Sequence, residues 1–231
     1  MKYFTFFIIF LLSFSIQAQA PQGFSLSAGG NYSGLQSDDL QNSAALGYKY
    51  GIVFTFGYHE TYNYQIEFFQ NKSTFDLPTI DADYQSSGSA KLDRNTSDVG
   101  FFFNYYVILP DEDKFYIGPQ VGVNFSFGGG ELKPQKNVAP GDEYYLPHIL
   151  SSYDLTSLSK FNYGAGIGLT GGYNDFKFDL RYTLGLNNVL QDVQTNSYDE
   201  NNRYTGPALD GKVQSLSLVV SYRLNKLFGY E

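Results

Sequence analysis

Residues 160–186, KFNYGAGIGLTGGYNDFKFDLRYTLGL, hold two runs of alternating character joined by Asn174-Asp175. In the first, Phe161, Tyr163, Ala165, Ile167 and Leu169 share one face, while Gly164, Gly166 and Gly168 share the other. In the second, Phe176, Phe178, Leu180, Tyr182, Leu184 and Leu186 oppose Lys177, Asp179, Arg181 and Thr183. A period of two belongs to a β-strand. Asn and Asp tolerate the left-handed backbone that a two-residue hairpin turn needs. The stretch therefore predicts an antiparallel hairpin with one apolar face and one polar or small face.

The same rhythm recurs along the chain. Strands are predicted at Gly23–Ser33, Lys49–Tyr58, Tyr62–Ser73, Thr96–Ile108, Lys114–Phe127, Lys160–Tyr173, Phe176–Asn188 and Val213–Leu224. Each is long enough for the roughly 9–11 residues of a tilted membrane-crossing strand. The connections alternate in length. Gly34–Tyr48, Thr74–Asn95, Gly128–Ser159 and Val189–Lys212 are long; His59–Thr61, Leu109–Asp113 and Asn174–Asp175 are short. Long loops on one side and tight turns on the other mark an outer-membrane barrel, with loops outside and turns in the periplasm. The expected fold class is all-β: an eight-stranded antiparallel transmembrane β-barrel with four long extracellular loops and three short periplasmic turns. Both termini are then periplasmic. Pairing the first strand with the eighth removes every edge, as lipid requires. Pro119 falls inside the fifth strand, where a lost ladder bond or a bulge is expected.

Composition agrees. The 231 residues include 21 Tyr, 21 Phe and 24 Gly but no Cys and no Trp. Mean hydropathy is only −0.27, because lipid-facing and lumen-facing residues cancel. Without Cys there is no disulfide framework, thiol nucleophile or lipid-modified N-terminal Cys. A net charge of −8 argues against nucleic acid as a partner. Lys2, the apolar run Phe4–Ile16 and the small residues Ala18 and Ala20 read as an export signal. Pro21 disfavours cleavage after Ala20, so the expected division is a signal peptide at 1–18 and one barrel domain at 19–231.

Charged side chains on the faces opposite the apolar ones are expected to fill the lumen. They are Glu67, Lys177, Asp179, Arg181 and Arg223, joined by Gln65, Asn104, Gln120, Asn124 and Thr183. An eight-stranded barrel has room for little more than side chains, so the expected role is a structural polar core. A narrow ion or proton path is the alternative, and an open pore is not expected. Gly164, Gly166 and Gly168 superficially match a nucleotide-binding motif, but that motif needs a strand, a turn and a helix. On one strand they make room for large interior neighbours. Tyr50, Tyr58, Tyr62, Tyr105, Tyr163, Tyr173, Tyr182 and Tyr222 suit an interfacial aromatic girdle.

No catalytic residue, cofactor or metal is expected. Asp81 with Asp83, or Asp142 with Glu143, could contribute cation ligands from the loops, but no loop has calcium-binding spacing. His148 lies near Ser151, Ser152 and Asp154, and His59 lies in a turn; neither forms an ordered triad on the sequence.

The mature chain resembles the PorT-like outer-membrane β-barrel domain family of Bacteroidota. The resemblance is carried by the Ala18-Gln19 signal end, the opening strand Gly23–Ser33, the glycine-rich strands Phe115–Phe127 and Lys160–Tyr173, and the final Tyr222-Arg223-Leu224. Its general architecture is similar to OmpA/OmpX-type barrels. The final strand also resembles the C-terminal signal read by the barrel-assembly machinery. The resemblance implies a non-enzymatic integral protein, a subunit or accessory of a larger outer-membrane complex in secretion (type IX), gliding or outer-membrane protein biogenesis. Implied partners are outer-membrane lipid and lipopolysaccharide, other outer-membrane proteins or lipoproteins, and the assembly machinery. The alternatives are a stand-alone surface barrel for adhesion or envelope integrity and, more remotely, a lipid-modifying enzyme.

Overall fold

The computed structural model describes residues 23–40, 42–59, 61–80, 86–108, 115–134, 145–146, 150–151, 158–193 and 209–224. The expected signal segment, residues 1–18, lies outside them, as do Asp81, Asp83, Asp142, Glu143, His148, Ser152 and Asp154.

Eight long strands form the wall: β1 Gly23–Gln36, β2 Ser43–His59, β3 Tyr62–Ile80, β4 Ser86–Tyr105, β5 Phe115–Gly128, β6 Phe161–Tyr173, β7 Phe176–Gly185 and β8 Lys212–Arg223. Each pairs antiparallel with its sequence neighbours, and β1 pairs with β8, Leu26 opposite Tyr222. The sheet is therefore a closed eight-stranded antiparallel barrel. Three two-residue strands decorate its loop end. Lys133–Pro134 pairs with β4, Tyr145–Leu146 meets Ile80 of β3, and Leu150–Ser151 pairs with Tyr145–Leu146.

Alternation decides which way each side chain points. Ile167 is 65% exposed and Gln65 1%. The apolar faces form the outer belt and the polar faces the interior, the reverse of a soluble protein. Asn174 carries the left-handed φ of 53° that the β6–β7 turn requires. The irregularity expected at Pro119 is present. Pairing of β4 with β5 stops at Asn104–Gln120 and resumes one residue out of step at the Ile108–Ile117 bridge.

The strands are longer than the sequence rhythm suggests. β2 begins at Ser43, not Lys49, and β3 and β4 run on to Ile80 and from Ser86. Much of the two connections expected at Gly34–Tyr48 and Thr74–Asn95 is therefore strand. The seventh strand stops at Gly185, short of Asn188. The physical reason for the extensions is a reversal of polarity. On β3 the inward face reads Gln65, Glu67, Phe69, Asn71, Ser73 and then Phe75 and Leu77, so a lone Phe69, packed with Val53 and Val219, gives way to a continuous apolar run. The outward face reads Ile66, Phe68 and then Gln70, Lys72 and Thr74. On β4 the inward face passes from Asp98 and Thr96, through Arg94, which donates to Gly129 O and Ser159 O, to Leu92 and Ala90. Beyond the belt, β3 and β4 become mainly apolar inside and polar outside, as a sheet in water does, while β2 still presents Leu46 and Tyr48 outward.

Those inward apolar tips meet residues from the connections in one cluster. Leu35, Leu40, Phe75, Leu77, Leu92, Leu132, Leu158, Val189, Leu190, Val193 and Leu209 are all buried in it.

Candidate functional site

The interior is held by strands on opposite walls. Arg181 of β7 donates from its two terminal nitrogens to the two carboxylate oxygens of Glu67 on β3, each at 2.7 Å. Its guanidinium lies 3.4 Å from the centroid of the Phe102 ring on β4, a cation–π contact. Lys177 Nζ is 3.0 Å from Asp179 Oδ2 and also donates to Gln65. Gln65 in turn donates to Glu67. Four of the five charged residues expected in the lumen thus join in one network. Arg223 faces the interior but lies at the turn end, where it lines a cavity of about 10 Å³ with Tyr116, Lys177 and Asp175.

A relay of amides extends the network across three strands. Arg181 Nε donates to Gln120 Oε1 at 2.8 Å, and Gln120 Nε2 donates to Asn104 Oδ1 at 2.6 Å. Asn104 Nδ2 donates to Asn63 Oδ1 at 2.8 Å, and Asn63 Nδ2 to Tyr106 Oη at 2.6 Å. The Tyr106 ring stands edge-on to Tyr116, centroids 5.2 Å apart. Buried polar groups must be satisfied or they cost stability, and here each amide is used in both directions. The arrangement cross-links β3, β4, β5 and β7 and fills the middle of the lumen.

Phe102 needs small neighbours. A Cβ at Gly166 would lie 2.9 Å from its ring, and one at Gly100 2.6 Å. Gly166 therefore makes room for a large interior side chain.

Phe102, Tyr106, Tyr116 and Lys49 are interior residues beyond those expected from the sequence. Lys49 points inward from within β2 rather than standing at its start. Its alternation with Tyr48 and Tyr50 was the available signal. It forms no ion pair among the described residues; its ammonium lies 4.9 Å from the Phe69 ring centroid. It lines a polar chamber of about 40 Å³ toward the loop end, with Asp98, Asn162 and Ser215 among the other walls. Asp98 accepts hydrogen bonds from Thr96 Oγ1 at 2.8 Å and Asn71 Nδ2 at 2.9 Å. Asn162 Oδ1 is buried with no hydrogen-bond partner among the described residues.

Beyond the belt, Lys72 and Asp93 pair at 2.7 Å on the outer face, and Lys72 lies 5.8 Å from the Tyr48 ring centroid. The hydrogen bond to Asp93 raises the Lys72 ammonium above its ordinary pKa. Among the described residues no group of three His, Cys, Asp or Glu is placed to hold a metal ion.

Similar solved structures include three outer-membrane proteins. Ail of Yersinia pestis, in complex with the heparin analogue sucrose octasulfate, is 14% identical with a TM-score of 0.43, over 87% of this chain and 97% of its own. OprG of Pseudomonas aeruginosa is 9% identical with a TM-score of 0.41, over 90% and 100%. Neisserial surface protein A is 12% identical with a TM-score of 0.38, over 87% and 97%. No curated protein sequence matches the chain. A belt of outward apolar side chains on a closed eight-stranded wall agrees with the family model that matches residues 17–191, and the chain belongs to that family, the outer membrane protein beta-barrel domain.

Proposed function

We propose that this integral outer-membrane barrel is a non-enzymatic surface protein that works through its loop end, which faces the outside of the cell. The observation that carries this reading is the extension of β1–β4 beyond the belt. It raises a β-sheet wall with its own apolar core, whose outer face is polar on β3 and β4 and presents exposed Leu46 and Tyr48 on β2. A wall of that kind presents a fixed contact surface, as flexible loops do not. The network of Glu67, Arg181, Lys177 and Asp179 serves as filling that holds the barrel's shape beneath it. This reading is the stand-alone role in adhesion or envelope integrity.

The test is an epitope inserted within residues 81–85 and probed on intact cells. Binding of antibody without permeabilisation is expected. Binding only after permeabilisation would place the loop end in the periplasm and sink the reading.

A second reading, as a subunit of a larger outer-membrane machine of the PorT-like kind in Bacteroidota, draws on the turn end. There Val107 and Ile108 are 66% and 50% exposed, beside the irregularity at Pro119. A C-terminally tagged chain extracted in mild detergent separates the two. A stoichiometric companion barrel or lipoprotein supports the machine; a lone barrel supports the surface role. On either reading His148→Ala leaves lipid A and phospholipid profiles unchanged, and an altered profile would make the chain a lipid-modifying enzyme.

A further inference from the structure

The apolar cluster at the loop end sits directly over the polar chamber. Val213 belongs to both: it packs against the cluster and lines the chamber. Hydrogen bonds fasten the segments that carry the cluster. Asn188 Oδ1 accepts from the backbone N–H of Leu190 at 2.8 Å and of Gly211 at 3.0 Å, while its Nδ2 donates to Leu209 O at 2.8 Å. Val189 N donates to Gly211 O at 2.8 Å, and Ser159 N donates to Val189 O at 3.0 Å. The first connection is tied to the fourth: Asp210 N donates to Asp39 Oδ2 at 2.7 Å, and Ser37 Oγ donates to Asp210 O.

We propose that these segments form a lid over the chamber lined by Lys49, Asp98 and Ser215 that limits entry from solvent at the loop end. The physical basis is desolvation. A hydrated ion or polar solute crossing a packed apolar layer must shed its water and gains no partner there. Entry therefore requires local opening of the lid, an event that exposes its leucines and valines to water. On the other side the chamber is bounded by Arg181, which Glu67 holds in place. The lid stands independently of the surface role proposed above, since a barrel with any partner could carry it.

The chain has no Cys, so a single introduced thiol reports on one place. Ser215→Cys puts that thiol in the chamber, and Lys91→Cys puts it on the exposed outer wall. Both are made in full-length protein, placed in nanodiscs and treated with a small charged methanethiosulfonate. With the lid intact, Ser215→Cys is expected to react about 100-fold more slowly than Lys91→Cys, the protection typical of sites that react only through local opening. Adding Leu190→Asp should bring the two rates within about 10-fold. Equal rates with the lid intact would overturn the proposal. So would a slow Ser215→Cys in lid variants that still show the gel mobility of a folded barrel, because the lid would then not be the barrier. If Leu190→Asp fails to fold, Asn188→Ala replaces it: it removes the three hydrogen bonds and keeps every apolar residue.

Discussion

Two basic side chains in the lumen have opposite standing. Arg181 is fully used by Glu67, Gln120 and the Phe102 ring. Removing one partner of such a pair leaves a buried charge uncompensated, which costs about 3–5 kcal/mol. Glu67→Gln and Arg181→Met should each lower the unfolding free energy in urea by that order. The double variant should lose clearly less than the sum, since the two residues share one interaction. Lys49 has no ion-pair partner among the described residues. Lys49→Met should leave the urea midpoint unchanged or raise it, and a loss as large as that of Arg181→Met would show that Lys49 is paired after all. The inward orientation of Glu67, Lys177, Asp179 and Arg181 was legible in the sequence because a period of two sorts every strand into two faces. Their pairing was not. It depends on which residues of β3 and β7 come level across the lumen, and no local pattern encodes that.

At the scale of the strand, alternation located all eight staves but misjudged where several end. β3 and β4 keep their period beyond the belt while the faces exchange character, so the apolar-outward signal ends near Ser73 and Thr96. Phe75, Leu77 and Leu92 continue the rhythm with reversed sense. The exchange makes a sharp prediction along one face of β3. Ile66→Arg places a charge in the belt and should cost about 2–4 kcal/mol of folding free energy in lipid vesicles. Gln70→Arg, four residues further on the same face, should stay within about 0.5 kcal/mol of the parent. Equal costs would mean that the belt extends past Gln70. The β6–β7 turn was legible because Asn174-Asp175 has its own chemistry. The irregularity at Pro119 was legible because proline lacks an amide hydrogen.

For the molecule as a whole, closure through the β1–β8 pairing and a cross-linked lumen predict a barrel that stays folded in dodecyl sulfate until heated. Unheated and boiled samples should migrate differently on a gel, and identical mobility would contradict the closed barrel. What the whole chain hides from a sequence reading is the apolar cluster at the loop end. It is assembled from single residues in distant segments, each unremarkable where it stands. The change of polarity on β3 and β4 has one more consequence, which concerns depth of immersion. Phe68 and Val99 mark the last outward apolar side chains before Lys72 and Asp93. The wall therefore carries its own waterline. A thicker bilayer would draw the Lys72–Asp93 pair into hydrocarbon, and a thinner one would leave Phe68 and Val99 in water. Both displacements cost free energy, so the barrel floats at one height and is matched to membranes of one thickness.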